Sequence, residues 1–186
     1  KRNRPLRGYQ DNALIYWDLY PKELKDLFTK SFTIGLREPA KRVTENKWLE
    51  TFANMMSCVM VCSNCGAETF YDATKEHFGA VHTCWGCDNT LKVPSKIVID
   101  KNVVLITEKA NLYSHHINND FDMNTIVGEV VVNPKNSALW GIRNLTKTNW
   151  TYIQGDGTQI PVAPGKAASI VKKAKIDFGN SVSEFR

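Results

Sequence analysis

The feature that most constrains this chain is a pair of CxxC sequences, Cys62-Ser-Asn-Cys65 and Cys84-Trp-Gly-Cys87, with 18 residues between them. A two-residue gap lets both sulfurs of a pair reach one ion, and two such knuckles supply the four thiolates of a tetrahedral site. We therefore predict one zinc ion held by these four cysteines. Because cysteine fills every position, none stays open to activate water, and the zinc is predicted to be structural.

Alternatives for this region stay open at this point. A four-thiolate site also accepts iron and could then transfer electrons, and disulfides or free thiols are further possibilities. Gly66 and Gly86 are expected to supply the permissive backbone of the two knuckle turns. His77 and His82 are expected to be packing or surface residues, because four cysteines are already in register. The fifth cysteine, Cys58, is expected to be a small buried hydrophobe.

The overall composition is that of a folded chain, with 42% hydrophobic and 23% charged residues among 186. No apolar run is long enough for a membrane helix, and the first residues do not form a signal peptide. An odd number of cysteines arranged in CxxC pairs favours metal binding in a reducing compartment over a disulfide framework. These observations predict a cytoplasmic protein.

Hydrophobic periodicity and the positions of the cysteines divide the chain into three predicted parts. These are a helical segment at 1–57, a zinc ribbon at 58–94 and a β-sandwich at 95–186. Within the first segment, apolar residues recur at helical spacing after Pro21, and Gly35 is expected to stop that helix. Thr44 is the predicted N-cap of a second helix. The expected fold class is mixed α+β.

The third segment alternates with a period near 2 and contains regular turn signals, which predicts an antiparallel sandwich. Eight strands are expected, at Ile97–Ile99, Val103–Ile106, Ile126–Val132, Leu139–Leu145, Trp150–Ile153, Gln159–Val162, Ala168–Val171 and Lys175–Phe178. The adjacent His115 and His116 are expected at a hairpin edge, and Asp120 and Asp122 in a polar loop.

Charge argues against nucleic acid as a partner of the ribbon. The net charge is +4 over 1–57, −2 over 58–94 and +3 over 95–186. Four thiolates around a Zn²⁺ ion add −2 more to the ribbon, and this negative region would repel phosphates. A search for GxSxG, HExxH and P-loop sequences finds none, so the residues predict a binding protein without catalytic activity of its own.

Residues 21–56 resemble the last two helices of a eukaryotic-type protein kinase. The resemblance rests on the helix after Pro21, the loop with Pro39 and Arg42, and Thr44 opening the final helix. In such kinases the arginine matching Arg42 pairs with a glutamate of the activation segment. That segment, the glycine-rich loop, the HRD-type catalytic loop and the DFG motif are absent from this sequence, so the resemblance implies a part without kinase activity.

Residues 95–186 resemble the second half of a forkhead-associated (FHA) sandwich. The resemblance rests on Asn144-Leu-Thr-Lys-Thr-Asn149-Trp, the turn at Gly155, Pro164-Gly165 and Ile176-Asp-Phe-Gly179. It implies a phosphothreonine site at Ser114, His116 and Asn149. The usual Gly-Arg pair of that family is replaced by Glu108-Lys109.

The order of kinase tail, zinc ribbon and FHA-like sandwich is similar to the C-terminal region of the kinase in the bacterial tellurite-resistance (TerY-type) triad. That triad joins a Ser/Thr kinase, a PP2C-type phosphatase and a von Willebrand factor A (vWA) protein. The resemblance implies docking to the vWA protein, with the phosphatase as a second candidate partner. Asp72, Glu76 and Asp88 are candidate acids for completing a Mg²⁺ site of the partner. A nucleic-acid-binding ribbon and a phosphopeptide reader are the alternative functions.

Overall fold

The computed structural model describes residues 6–72, 81–108 and 110–186. These residues form two compact units, residues 6–72 with 81–91, and residues 92–108 with 110–186. The predicted mixed α+β class is confirmed, since short helices occur together with antiparallel sheets. The division into three domains stays a prediction, because a compact unit and an independently folding domain are different properties. In the described part of the chain, no helix is long and apolar enough to span a membrane.

The first unit begins with helices and ends with short strands. Its elements, in chain order, are α1 (Asp11–Tyr16), a 3-10 turn (Trp17–Leu19), α2 (Lys22–Phe32), α3 (Ile34–Arg37), a second 3-10 turn (Pro39–Lys41), α4 (Glu45–Ser57), β1 (Val59–Val61), β2 (Glu68–Phe70), β3 (Val81–Thr83) and β4 (Thr90–Lys92). Two separate hairpins result, because β1 pairs with β2 and β3 with β4.

One predicted helix boundary is confirmed and one is wrong. The Thr44 side chain accepts a hydrogen bond from the Lys47 N–H at 3.4 Å, as expected of the N-cap of α4. Gly35 does not end α2, which stops at Phe32; it lies inside α3 and is buried. A Cβ on Gly35 would lie 3.3 Å from the Arg42 Cγ, so this glycine provides space for the arginine, whose Nε donates to the Gly35 carbonyl at 2.9 Å.

The cysteine region (residues 58–72 and 81–91) is joined directly to the helices. Cys58 caps α4 and is buried, as predicted, and its carbonyl accepts the Tyr71 N–H at 2.8 Å. Aromatic pairs add to this junction. The ring centroids of Tyr16 and Trp85 lie 5.5 Å apart, and those of Tyr20 and Phe70 lie 5.7 Å apart. Helices and cysteine region therefore share one packed unit.

The second unit is an antiparallel sandwich with one short helix. Its elements, in chain order, are β5 (Lys96–Ile99), β6 (Asn102–Leu105), β7 (Asn111–Tyr113), α5 (Ser114–Asn118), β8 (Ile126–Asn133), β9 (Asn136–Asn144), β10 (Trp150–Ile153), β11 (Gln159–Val162), β12 (Ala167–Ser169), β13 (Lys175–Asp177) and β14 (Val182–Phe185). All eight expected strands occur here, with shifts at their ends. His115 and His116 lie on α5 instead of a hairpin edge, and β7 and β14 were not predicted.

Two sheets enclose one apolar core in this unit. The strand orders are β11-β10-β13-β14-β5-β6 and β12-β9-β8-β7. Both sheets contribute buried side chains to that core, including Ile176 and Trp150 from the first and Leu112 and Ile142 from the second. In the second sheet Tyr113 pairs with Ile126 and Gly128 with Asn144. The loops at 114–125 and 145–149 therefore leave that sheet at the same end.

Candidate metal centre

Four sulfur atoms converge between the two hairpins of the first unit. The Sγ atoms of Cys62, Cys65, Cys84 and Cys87 all lie within 4.8 Å of one another. Sulfurs from different knuckles approach closely, with Cys62 to Cys87 at 3.7 Å and Cys65 to Cys84 at 3.6 Å. A tetrahedral zinc ion with bonds of about 2.3 Å separates its sulfurs by about 3.8 Å. The four cysteines therefore have the spacing needed to bind a metal ion such as zinc.

The two knuckles have matching backbone hydrogen bonds. In the first knuckle the Gly66 N–H donates to the Cys62 carbonyl at 2.9 Å, and in the second the Asp88 N–H donates to the Cys84 carbonyl at 2.9 Å. Each donor lies one position after the second cysteine of its knuckle. These two residues also share a left-handed conformation, with φ of 75° and 57°. The turn thus requires positive φ at this position, which glycine adopts freely and aspartate at a cost.

Gly86 lies in the second knuckle turn as predicted, but its φ is not positive, so the permissive backbone expected of this glycine is not what the turn uses. Its missing side chain instead makes room at the cluster. A Cβ on Gly86 would lie 3.2 Å from the Ala67 Cβ and 3.5 Å from the Cys65 Sγ. The Gly86 N–H also approaches the Cys84 Sγ at 3.4 Å, where it can stabilise a thiolate.

Burial differs among the four cysteines. Cys62 and Cys84 are buried, Cys87 is half-buried and Cys65 is exposed. Leu91 packs beside the buried pair. The side-chain amide of Asn89 lies 3.8 Å from the Cys62 Sγ as a further donor toward the cluster. Asn89 was not predicted from the sequence, although a polar side chain two positions after the second cysteine of a CxxC pair is a usable signal.

The thiols influence one another's protonation. Backbone N–H groups of Cys65 and Asn64 lower the pKa of Cys62 to about 6. The Asn64 side chain also lowers the pKa of Cys87. The Ala67 backbone lowers the pKa of Cys65, but sulfur neighbours, first Cys87, together with burial raise it to about 12. One added negative charge therefore suppresses the next, and a bound dication would relieve that repulsion.

The remaining candidate residues of this unit lie apart from the sulfurs. Among the described residues, the group of closely spaced ligand atoms contains cysteine only, and His82 lies on β3 outside it. Asp72 accepts the Lys22 N–H at 3.4 Å. Asp88 is exposed beside the second knuckle. Glu76 and His77 lie outside the described residues.

Ser114 and His116 both have buried side chains on α5. The Ser114 hydroxyl donates to the Asp120 carboxylate at 2.6 Å and accepts from Asn118 at 2.9 Å. The His116 Nδ1 accepts the Tyr113 N–H at 2.9 Å, and burial followed by the neighbouring His115 lowers the pKa of His116 to about 3. A phosphate at Ser114 would have to displace a carboxylate of the same charge sign.

Asn149, the third candidate of this group, is exposed in the loop at 145–149. This loop and α5 lie at the same end of the second sheet. Asn144, a residue that the sequence analysis did not single out, organises the loop. Fully buried, it donates to the carbonyls of Thr148 at 2.8 Å and Val162 at 2.9 Å, and accepts the Thr146 N–H at 2.8 Å.

Comparisons with known protein families, curated proteins and solved structures find no match to this chain. The functional conclusion therefore depends on the geometry of the two units.

Proposed function

We propose that this chain is a zinc-stabilised docking module of a bacterial Ser/Thr kinase, without catalysis of its own, and that it binds a vWA-domain protein. The observation that carries the proposal is the closed group of four sulfur atoms, all within 4.8 Å of one another. Four cysteine ligands complete the coordination of zinc, so the ion would hold two hairpins together and leave no position for a substrate.

The connection between the cysteine region and the helices supports a role in binding. Because Cys58 caps α4 and its carbonyl receives the Tyr71 N–H, order in the hairpin of β1 and β2 would extend to the helices. A bound zinc ion would therefore fix a surface made by both. Several large apolar side chains of the helices are exposed, among them Phe32 of α2 at 65% and Met56 of α4 at 77%. Exposed apolar patches are typical of protein interfaces.

Asp88 is the candidate through which the module would reach a metal of the partner. It is exposed and adopts a left-handed conformation that costs free energy for a residue with a side chain. Its carboxylate lies next to a knuckle that the zinc ion would hold rigid. A vWA domain often binds Mg²⁺ at a surface site that an acid from its partner completes, and oxygen ligands are those that Mg²⁺ prefers.

The proposal is tested by calorimetric titration of the zinc-loaded chain against the vWA protein of a tellurite-resistance triad, with and without Mg²⁺. We expect Mg²⁺-dependent binding that Asp88→Asn weakens at least about tenfold, since a neutral amide is a poorer metal ligand. Glu108→Gln, an exposed change in the other unit, is the matched control and should bind as the unchanged chain does. No binding under either condition would exclude the vWA partner. Binding insensitive to Asp88→Asn would exclude Asp88 as the bridging acid, and binding insensitive to Mg²⁺ would exclude the metal bridge.

Phosphopeptide reading by the sandwich is a second candidate, because the loops at 114–125 and 145–149 leave the sheet at one end. The Ser114–Asp120 hydrogen bond opposes it. A phosphothreonine peptide and its unphosphorylated form, compared by fluorescence anisotropy, decide between the two functions. Equal binding of both peptides would remove this candidate, and a preference for the phosphorylated form that Asn149→Ala abolishes would support it.

A further inference from the structure

The strand β12 is an outer strand of the four-stranded sheet, and its neighbour there is β9. Antiparallel pairing engages the backbone of every second residue. The Lys166 carbonyl accepts the Asn144 N–H at 2.8 Å, so Lys166 and every second residue after it face β9. The N–H and C=O groups of Ala167 and Ser169, here called the β12 edge, therefore point away from the sheet. In the described part of the chain these groups have no hydrogen-bond partner.

Two other outer strands of the sandwich are protected from further pairing. Beside β11, the Gln154 N–H donates to the Thr158 carbonyl at 2.9 Å, which places Pro161 among the residues whose backbone faces outward. Proline has no N–H to offer to a new strand. In β7, the Tyr113 N–H already donates to the Nδ1 of His116 at 2.9 Å. The β12 edge has neither feature, and an open edge of this kind accepts an added strand.

The outward face of the sheet beside the β12 edge is partly apolar. Ile142 of β9 and Ala168 of β12 belong to the buried core. Because side chains alternate between the two faces along a strand, Leu139 and Val171 lie on the opposite, outward face. Leu139 is 56% and Val171 53% exposed. A strand added at the β12 edge would have apolar side chains on this face beside Val171.

Lysines flank the β12 edge on both sides. Residues 163–175 contain four lysines and no acidic residue. Lys166 precedes β12, and Lys172 and Lys173 follow it; all three are exposed. None of the three makes an ion pair with any residue that the structure describes. The two ends of the β12 edge are therefore positively charged.

Acidic residues on the surrounding strands and turns are already bonded elsewhere. Glu129 of β8 pairs with Arg143 at 2.7 Å, and Glu184 of β14 pairs with Arg186 at 3.2 Å. In the turn before β11, the Asp156 carboxylate accepts the Thr158 N–H at 2.9 Å. These contacts leave the lysine charge at the β12 edge available to carboxylates of another molecule.

We propose that the β12 edge binds an extended, acidic segment of a partner protein, which adds a strand to the sheet. The backbone groups of Ala167 and Ser169 would bond to it, and its carboxylates would lie beside Lys166 and Lys172. This site belongs to the sandwich and does not depend on the vWA partner proposed for the other unit. A second copy of this chain is disfavoured as the occupant, because two copies joined at β12 would bring both sets of lysines to one junction.

The first test uses a short fluorescein-labelled peptide in which valine and threonine alternate between glutamates at both ends. Anisotropy titration against the zinc-loaded full chain should show saturable binding. Two N-methylated forms, one modified at every valine and one at every threonine, block opposite edges of the peptide strand. One of them should bind at least about tenfold more weakly and the other almost unchanged, because one edge alone bonds to β12. Absence of binding, or equal losses in the two forms, would overturn the proposal.

Variants of the chain locate the site. Ser169→Pro should weaken peptide binding at least about tenfold, and it removes no bond to β9, since the Ser169 N–H points away from that strand. Gln159→Pro makes the same kind of change on the outer strand β11 and should leave binding unchanged. Unchanged circular dichroism checks that both variants fold. Equal losses in the two variants would contradict the assignment of the site.

Charge variants leave the backbone unaltered and keep the test decisive if a proline variant misfolds. Lys172→Glu should weaken binding of the acidic peptide about fivefold, because a repulsive charge replaces an attractive one. Lys147→Glu makes the same change in the exposed loop at 145–149 and should have no effect. Equal binding by Lys172→Glu and the unchanged chain would overturn the role of the lysines and with it the acidic occupant.

Two further measurements identify the wrong occupants. A single-stranded oligonucleotide that competes with the peptide and still binds Ser169→Pro would show a general polyanion site in place of a strand site. A dimer, detected by light scattering, that Ser169→Pro dissociates would replace the partner segment with a second copy. Asp88→Asn should leave peptide binding unchanged, so loss of vWA binding with the expected peptide pattern would remove the proposed function and leave this site standing.

Discussion

The cysteine region and the sandwich differ in what holds their strands together. Among the described residues, the sandwich core joins 16 buried side chains, whereas the cluster around the sulfur atoms joins three, of which two are the cysteines Cys62 and Cys84 themselves. Apolar burial stabilises in proportion to the area removed from water, so the larger core can hold its sheets without a metal. The small cluster around the sulfur atoms contributes little burial, and thiolates that form there without a metal repel one another. One chain can therefore use metal binding to stabilise one unit and apolar packing to stabilise the other.

Zinc removal should give the largest effect and separate the two units. Chelation, or Cys84→Ser, should unfold the cysteine region and loosen the helices attached to it, because structural zinc contributes on the order of 10 kcal/mol to small metal domains. Amide spectra measured by NMR should lose the dispersed signals of α4 and β1–β4 and keep those of β8–β10. Loss of both sets together would contradict the independence of the sandwich from the metal.

The second prediction removes a large side chain from the sandwich core and expects the sandwich alone to lose stability. Trp150 is 1% exposed and packs edge-to-face on Phe178 with ring centroids 4.8 Å apart. Trp150→Ala should lower the free energy of unfolding of the sandwich by about 3–5 kcal/mol, the usual cost of such a cavity. Urea denaturation measures this loss of unfolding free energy, and the zinc content of the variant should stay at one equivalent. Trp85→Ala, an exposed tryptophan of the other unit, is the control and should cost the sandwich nothing.

Low pH should reduce the stability of the sandwich, because His116 must then be protonated. Burial lowers the pKa of this side chain to about 3, below its value in the unfolded chain. The stability contributed by the neutral form is therefore complete above pH 6.5 and declines as the pH falls toward 3. Between pH 7 and pH 5 the free energy of unfolding should fall by about 2 kcal/mol. Urea titrations at each pH, followed by the amide NMR signals of β8 and β9, measure this fall in unfolding free energy. A His116→Gln variant should lack the part of the fall that His116 causes.

The smallest expected effect concerns the left-handed residue of each knuckle. Asp88 has a φ of 57° and Gly66 a φ of 75°. Asp88→Gly should be more stable than Asp88→Ala by about 1 kcal/mol, because only glycine adopts this conformation freely. Gly66→Ala should show the same penalty. Thermal unfolding of the zinc-loaded proteins measures both, and equal stability of the two Asp88 variants would show that the turn is not constrained as described.

Elements with a local signal were the ones predicted correctly. The CxxC spacing selects the four sulfur atoms that converge, and Thr44 caps α4 because a side-chain oxygen at that position can accept a free N–H. The strand β14 shows the opposite case. Val182 is exposed while Ser183 is buried, with its hydroxyl donating to the Ile176 carbonyl at 3.2 Å. Phe185 is the only apolar residue of this strand that faces the core, so the sequence carries no alternation that predicts a strand between β13 and β5.

By itself, the sequence determined which four cysteines come together, the helix cap, the alternation of the sandwich strands and their turns, because each depends on residues close together along the chain. The tertiary structure decided the rest. It gave Gly86 a role in close packing without a positive φ, placed Asp120 on the Ser114 hydroxyl, and left Phe32 open to solvent beside Arg37. These outcomes depend on neighbours distant in sequence or on which faces remain uncovered after packing, and local patterns carry no information about either.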